Sequence, residues 1–120
     1  QTAQHQPIEI NQLDTVAFGE LKSILPKEKI DKLVSGFEVE VNDLIASFVT
    51  HLNVDGLPEL AKASHKSVGS AGMIGLLPFR DALRTLEQAA KAGDLQSAMD
   101  AAKAIETSWP NTLTTLKAAI

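Results

Sequence analysis

The sequence predicts an all-α domain, and three observations carry that prediction. Ala and Leu dominate its apolar residues. Val, Ile and Thr never fall into the alternating runs that a half-buried strand requires. Apolar residues instead recur three and four apart along successive segments, the spacing of one helical face.

The first helix is expected from about Asn11 to Leu25, on a stripe of Ile10, Leu13, Val16, Leu21, Ile24 and Leu25, and Pro26 ends it. A second helix over 27–52 has the clearest period: Ile30, Leu33, Val34, Phe37, Val41, Leu44, Ile45, Phe48 and Leu52. Residues 53–56 break it, with Asp55 expected to cap a third helix over about 56–74. That helix buries Leu57, Leu60, Ala61, Val68 and Ala71. Ser64, in its middle, is tolerable because its hydroxyl can bond a carbonyl one turn back. Gly75 is the expected stop. Pro78 suits the first turn of a fourth helix carrying Phe79, Ala82, Leu83, Leu86, Ala89 and Ala90. Gly93 then ends it and Asp94 caps the fifth. The fifth stripe, from Leu95 through Trp109 to Ile120, runs across Pro110, so a kinked helix or two stacked pieces is expected. Trp109 follows the stripe into the core. Short connections make consecutive helices antiparallel neighbours. The architecture expected is therefore an antiparallel up-down four-helix bundle with an additional N-terminal helix. Residues 1–9 read as a linker or loose arm, and residues 10–120 as the bundle.

Composition bounds the function. The chain has 120 residues, enough for one domain at about 100–200 residues each. It has no cysteine, which excludes a disulfide framework, a thiolate metal site and a thiol nucleophile. A net charge of −4 and only 4% aromatic residues argue against a nucleic-acid binder. No apolar run approaches a membrane span, and no signal segment opens the chain. The first residue is Gln1, so a piece of a longer chain is expected.

The chemistry concentrates on the third helix, around Ala61-Lys62-Ala63-Ser64-His65-Lys66-Ser67-Val68-Gly69-Ser70-Ala71-Gly72-Met73. At about 100° per residue, the apolar face centres roughly 90° from His65, which places the imidazole at the core margin. Gly69 and Gly72 share its face at i+4 and i+7. Each glycine costs a helix about 0.8–1.0 kcal/mol relative to Ala. Either a neighbouring helix approaches closely there, or the glycines clear a shelf beside the imidazole on which another protein docks. A neutral imidazole nitrogen is a nucleophile able to form a covalent intermediate, and Lys62 or Lys66 can offset phosphate charge. Met73 falls off the stripe, where a flexible thioether can meet a partner. His51, near the end of the second helix, reads as a helix-terminus or surface residue, and His5 is given no role. Without a Glu-x-x-His pair, no metal site is expected. Glu38 and Glu40, two apart, point different ways and read as a solvated face.

The run His65-Lys66-Ser67-Val68-Gly69-Ser70-Ala71, closing at Gly75, resembles the histidine-containing phosphotransfer (HPt) domain family. Leu83, Leu86-Glu87, Ala90 and Gly93-Asp94 also resemble the family's following helix and turn. Two positions depart from the pattern. Val68 stands where a Lys usually precedes the Gly, and Ser67 where an apolar residue follows the His by two. The resemblance implies a phosphocarrier without a nucleotide site of its own, working in a multistep two-component phosphorelay. His65 would accept a phosphoryl group from a receiver-domain aspartate and pass it to another receiver. The expected phosphate environment is Lys62 and Lys66, read from their place beside His65, with Ser70 added by the resemblance. The expected docking face is Ala61, Gly69, Gly72 and Met73. This chain would need no cofactor, with Mg²⁺ on the partner receiver. The expected setting is the cytoplasm, free or tethered to the inner face of a membrane through a parent hybrid sensor kinase. The competing reading is a non-catalytic receiver-binding or scaffold bundle in which His65 is not phosphorylated.

Overall fold

The computed structural model describes residues 12–120. The expectations for the arm at 1–9 and for Ile10 and Asn11 lie outside the described residues. Five α-helices follow in order: α1 (Thr15–Ile24), α2 (Lys27–His51), α3 (Leu57–Ile74), α4 (Leu77–Lys91) and α5 (Leu95–Ala119). No strand occurs among the described residues.

The helix ends follow local chemistry. α1 starts later than its stripe predicts, because Asp14 caps it by accepting from the Val16 and Ala17 amides at 3.1 and 3.0 Å. The Asp14 amide in turn donates to the Gly75 carbonyl at 2.8 Å, pinning the start of α1 to the α3–α4 turn. The expected Asp55 cap is not formed. Residues 54–56 wind into a 3₁₀ turn whose cap is Asn53, with its Oδ1 accepting from the Gly56 amide at 2.8 Å. Gly56 is required there, since a Cβ would meet the His51 backbone at 2.6 Å. Gly75 closes α3 with a φ of 100°, the left-handed conformation that favours glycine. Asp94 caps α5 as expected, accepting from the Ser97 amide at 3.1 Å. α5 is one helix through Pro110, not two pieces. Pro110 has no amide to donate and crowds the carbonyl one turn back, yet the helix continues to Ala119, with Trp109, Thr112 and Leu116 buried on either side of it.

α3 packs between α2 and α4, α5 packs on α4 and α2, and α1 rests on α2 and α3. The core is fastened by three rings from three helices. Trp109 lies 5.8 Å from Phe37 and 5.5 Å from Phe79, centroid to centroid. Its indole N–H donates to Asn42 Oδ1 at 2.8 Å, so the buried ring keeps its polar edge satisfied. Lys22, at the end of α1, donates to the Ala119 carbonyl at 2.8 Å and holds the last turn of α5. Among the described residues no helix is long and apolar enough to cross a membrane.

Candidate functional site

On α3 the buried residues are Leu57, Leu60, Ala61, Ser64, Ser67, Ala71 and Ile74. Most recur at steps of three and four, so they form one face, and His65 falls beside it. Its side chain is 74% exposed, yet its Nδ1 lies 2.8 Å from Glu87 Oε2 on α4. Glu87 is 8% exposed, and the same oxygen accepts from the Lys91 ammonium one turn along α4 at 2.8 Å. The Lys91 hydrogen bond is the main reason the Glu87 carboxyl sits below the usual glutamate range. Burial opposes it and the His65 hydrogen bond assists it.

The consequence for the imidazole is specific. An ionised carboxylate only accepts hydrogen bonds, so Nδ1 is the nitrogen that carries hydrogen. In the neutral ring, Nε2 then keeps its lone pair. The arrangement fixes the ring's orientation and leaves the nucleophilic nitrogen on an exposed side chain.

The glycines beside it divide between the two explanations for their cost. Nothing lies within 4 Å of the position a Gly69 Cβ would take, so no packing within the chain requires that glycine. At Gly72 a Cβ would meet Arg80 Cδ at 3.2 Å, so α4 does come close there. Met73 is 58% exposed, in keeping with its place off the stripe. Ala61, expected on the docking face, is buried and offers a partner almost no surface.

The lysines on α3 are exposed. Lys62 pairs with Glu59 at 3.6 Å, and Lys66 lies one residue past the imidazole. Ser70 turns toward α2, where its hydroxyl donates to Glu40 Oε1 at 3.1 Å, or to the Lys66 carbonyl at 3.3 Å. Glu38 and Glu40 do point to different neighbours, but they are half-buried and engaged, not a solvated face. Glu38 pairs with Lys117 at 3.1 Å, and Glu40 takes the Ser70 hydroxyl. His51 is the last residue of α2, half-buried.

Sequence reasoning missed Glu87 and Lys91 as site residues. Their i, i+4 spacing marks them as a helix pair, but only the packing of α4 against α3 brings the pair to His65.

A helical domain that offers one oriented, exposed imidazole is equipped to carry a transferable group. The family model described as the Hpt domain matches residues 32–119, and the chain belongs to that family. Comparison with curated proteins and with solved structures gave no match. Hpt domains are phosphocarriers of two-component phosphorelays, act through phosphohistidine and interact with receiver domains.

Proposed function

We propose that His65 accepts a phosphoryl group from the phospho-aspartate of one receiver domain and delivers it to the aspartate of another. The observation that carries this reading is the 2.8 Å contact between Glu87 and Nδ1 of a side chain that is itself 74% exposed. The Nε2 lone pair attacks phosphorus, the N–P bond forms, and the P–O bond to the donor aspartate breaks to return its carboxylate. Attack leaves positive charge on the ring, which still holds its Nδ1 hydrogen. The Glu87 carboxylate is already in place to stabilise that charge. The reverse step, with an acceptor aspartate attacking phosphorus, expels the same ring in its neutral form. The receivers supply the acidic pocket and Mg²⁺.

Lys62 and Lys66 stand one turn before and one residue after His65 on α3, and both are exposed. Either takes the part that a Lys at the Val68 position would play, and Ser70 acts through the Lys66 turn. Gly69, Gly72 and Met73 form the centre of the receiver-docking face, with Ala61 at its edge. On this reading α2, α3, α4 and α5 make an antiparallel up-down bundle, with α1 as the added helix. The domain works in the cytoplasm, free or as part of a hybrid sensor kinase. The exposure of His65 favours this reading over a scaffold in which the histidine is silent.

The test is incubation with phosphorylated receivers. Acid-labile label should appear on the wild-type chain and be absent from His65→Gln. Absence of label with every receiver tried, or label that persists in His65→Gln, would overturn the reading.

A further inference from the structure

Three side-chain polar atoms among the described residues are buried without a hydrogen-bond partner: Glu40 Oε2, His51 Nδ1 and Ser67 Oγ. Native proteins satisfy nearly all such atoms, so each exception calls for an explanation. All three residues line one groove of about 430 Å³ between α2 and α3. That volume is in the range of small-molecule sites. Ser67 is only 1% exposed, and its hydroxyl is not bonded back to the helix as that of Ser64 is. The groove lies round α3 from His65, whose side chain turns toward α4.

The groove's chemistry is one-sided on the α2 wall. Glu40 and Asp43 sit three apart there, and like charges at that spacing repel. Glu40 Oε1 is held by Ser70, which leaves Oε2 over. Across the groove, Lys62 is taken by Glu59, and among the described residues no ion pair joins Lys66 to Glu40 or Asp43. Apolar lining comes from Val39, Leu44 and Ala63. Gly36 lies at one end with nothing within 4 Å of where its Cβ would stand, and His51 lies at the other. At 1.5 Å per residue, that is a run of about 22 Å along α2. The groove is thus long, with Val39 and Leu44 alternating with Glu40 and Asp43 along α2 and the polar Ser47, Glu59 and His51 toward its far end.

We propose that the α2–α3 groove binds a linear aliphatic polyamine. One ammonium sits among Glu40, Asp43 and the Ser67 hydroxyl, and the methylene chain lies along Val39, Leu44 and Ala63. An ammonium has three donors and no acceptor, which matches the unused acceptor lone pairs of Glu40 Oε2 and Ser67 Oγ. The last torsion of a glutamate is soft, so Oε2 turns into the groove as the donor enters.

The test is an NMR titration of the ¹⁵N-labelled chain with spermidine and with 1,4-diaminobutane, using 1,4-butanediol as the uncharged control. Saturable shifts should centre on the amides of Gly36, Glu40, Asp43 and Ser67, with no response to the diol. Glu40→Gln should weaken binding by about tenfold, the worth of one charge-assisted hydrogen bond. Ser67→Ala has no hydrogen bond to lose and should stay folded while binding less tightly. Lys66→Ala, which removes a competing cation from the rim, should bind more tightly. Unsaturable shifts, an equal response to the diol, or undiminished binding in Glu40→Gln would overturn the proposal. So would no shift at all, the result if ordered water alone fills the groove. Tighter binding of a lysine-containing tripeptide than of either amine would overturn it in favour of a partner protein's side chain.

Discussion

One carboxylate oxygen of Glu87 serves both His65 and Lys91, and this sharing sets the character of the site. Lys91 keeps Glu87 ionised, and ionised Glu87 keeps the hydrogen on Nδ1. Removing Glu87 deletes a hydrogen bond to a charged group, worth about 1.5–3 kcal/mol, so Glu87→Ala should slow phosphoryl acceptance by roughly 10- to 100-fold. Glu87→Gln retains an acceptor for Nδ1–H and should fall between Ala and wild type in the same rate assay. The pH dependence has a definite sign. Glu87 is ionised more easily in the folded chain than in the unfolded one, so its contribution to stability is complete above the ordinary glutamate range. It fades as pH falls through that range and is gone below the folded chain's own lower value. The stability gap between wild type and Glu87→Gln, read by denaturant melts across acid pH, should therefore narrow as pH drops. Replacing Lys62 and Lys66 together by Ala should slow transfer, and an unchanged rate would remove both from the phosphate environment. At this scale the placing of His65 at the core margin, with Gly69 on its face, was legible because their types and spacing are unusual on a helix. Glu87 was not, because an i, i+4 pair with Lys91 looks like any solvated helix pair until α4 is placed on α3. Ser67 stood out only as a departure from the family pattern, and its burial without a partner shows only once α3 is packed on α2.

Among the helices, α3 concentrates the tension between stability and function. Gly69 is open to solvent and unneeded for packing, so Gly69→Ala should stabilise the fold by about 0.8–1.0 kcal/mol. On the proposed docking face the same methyl group would stand in a receiver's way, so that reading expects transfer to slow while the melting temperature rises. Gly72→Ala should stabilise less, because Arg80 must move to admit the methyl group. Thermal melts and transfer rates on the two variants measure both effects. Helix stops and starts at Gly75, Pro78, Gly93 and Asp94 were readable, since each depends on one residue's backbone or capping chemistry. The entry to α3 was misread because Asn53 and Asp55 are both good caps, and the 3₁₀ turn that chooses between them forms only with Gly56 against His51. The start of α1 shifted for a similar reason. Asp14 both caps the helix and bonds to Gly75, a residue distant in sequence.

At the level of the whole molecule, the all-helical class was evident from the 3.6-residue period and the short connections made consecutive helices neighbours, whereas the contacts of α5 with α2 and of α1 with α3 were not legible. Periodicity says which face is buried but not against what. The stripe of α5 did place Trp109 inside, but only packing shows it meeting Phe37 of α2 and Phe79 of α4. Phe79→Ala should cost about 3–5 kcal/mol, the usual toll of removing a buried ring, and should loosen three helices at once. A denaturant melt of that variant followed by circular dichroism measures the loss. The same cluster has an optical consequence. Trp109 is the only tryptophan in a chain without tyrosine, so one indole supplies nearly all the near-ultraviolet absorption and emission. It is buried, bonded to Asn42, and placed where α2, α4 and α5 converge. Its emission colour is therefore a built-in gauge of whether those three helices are together, readable without any label.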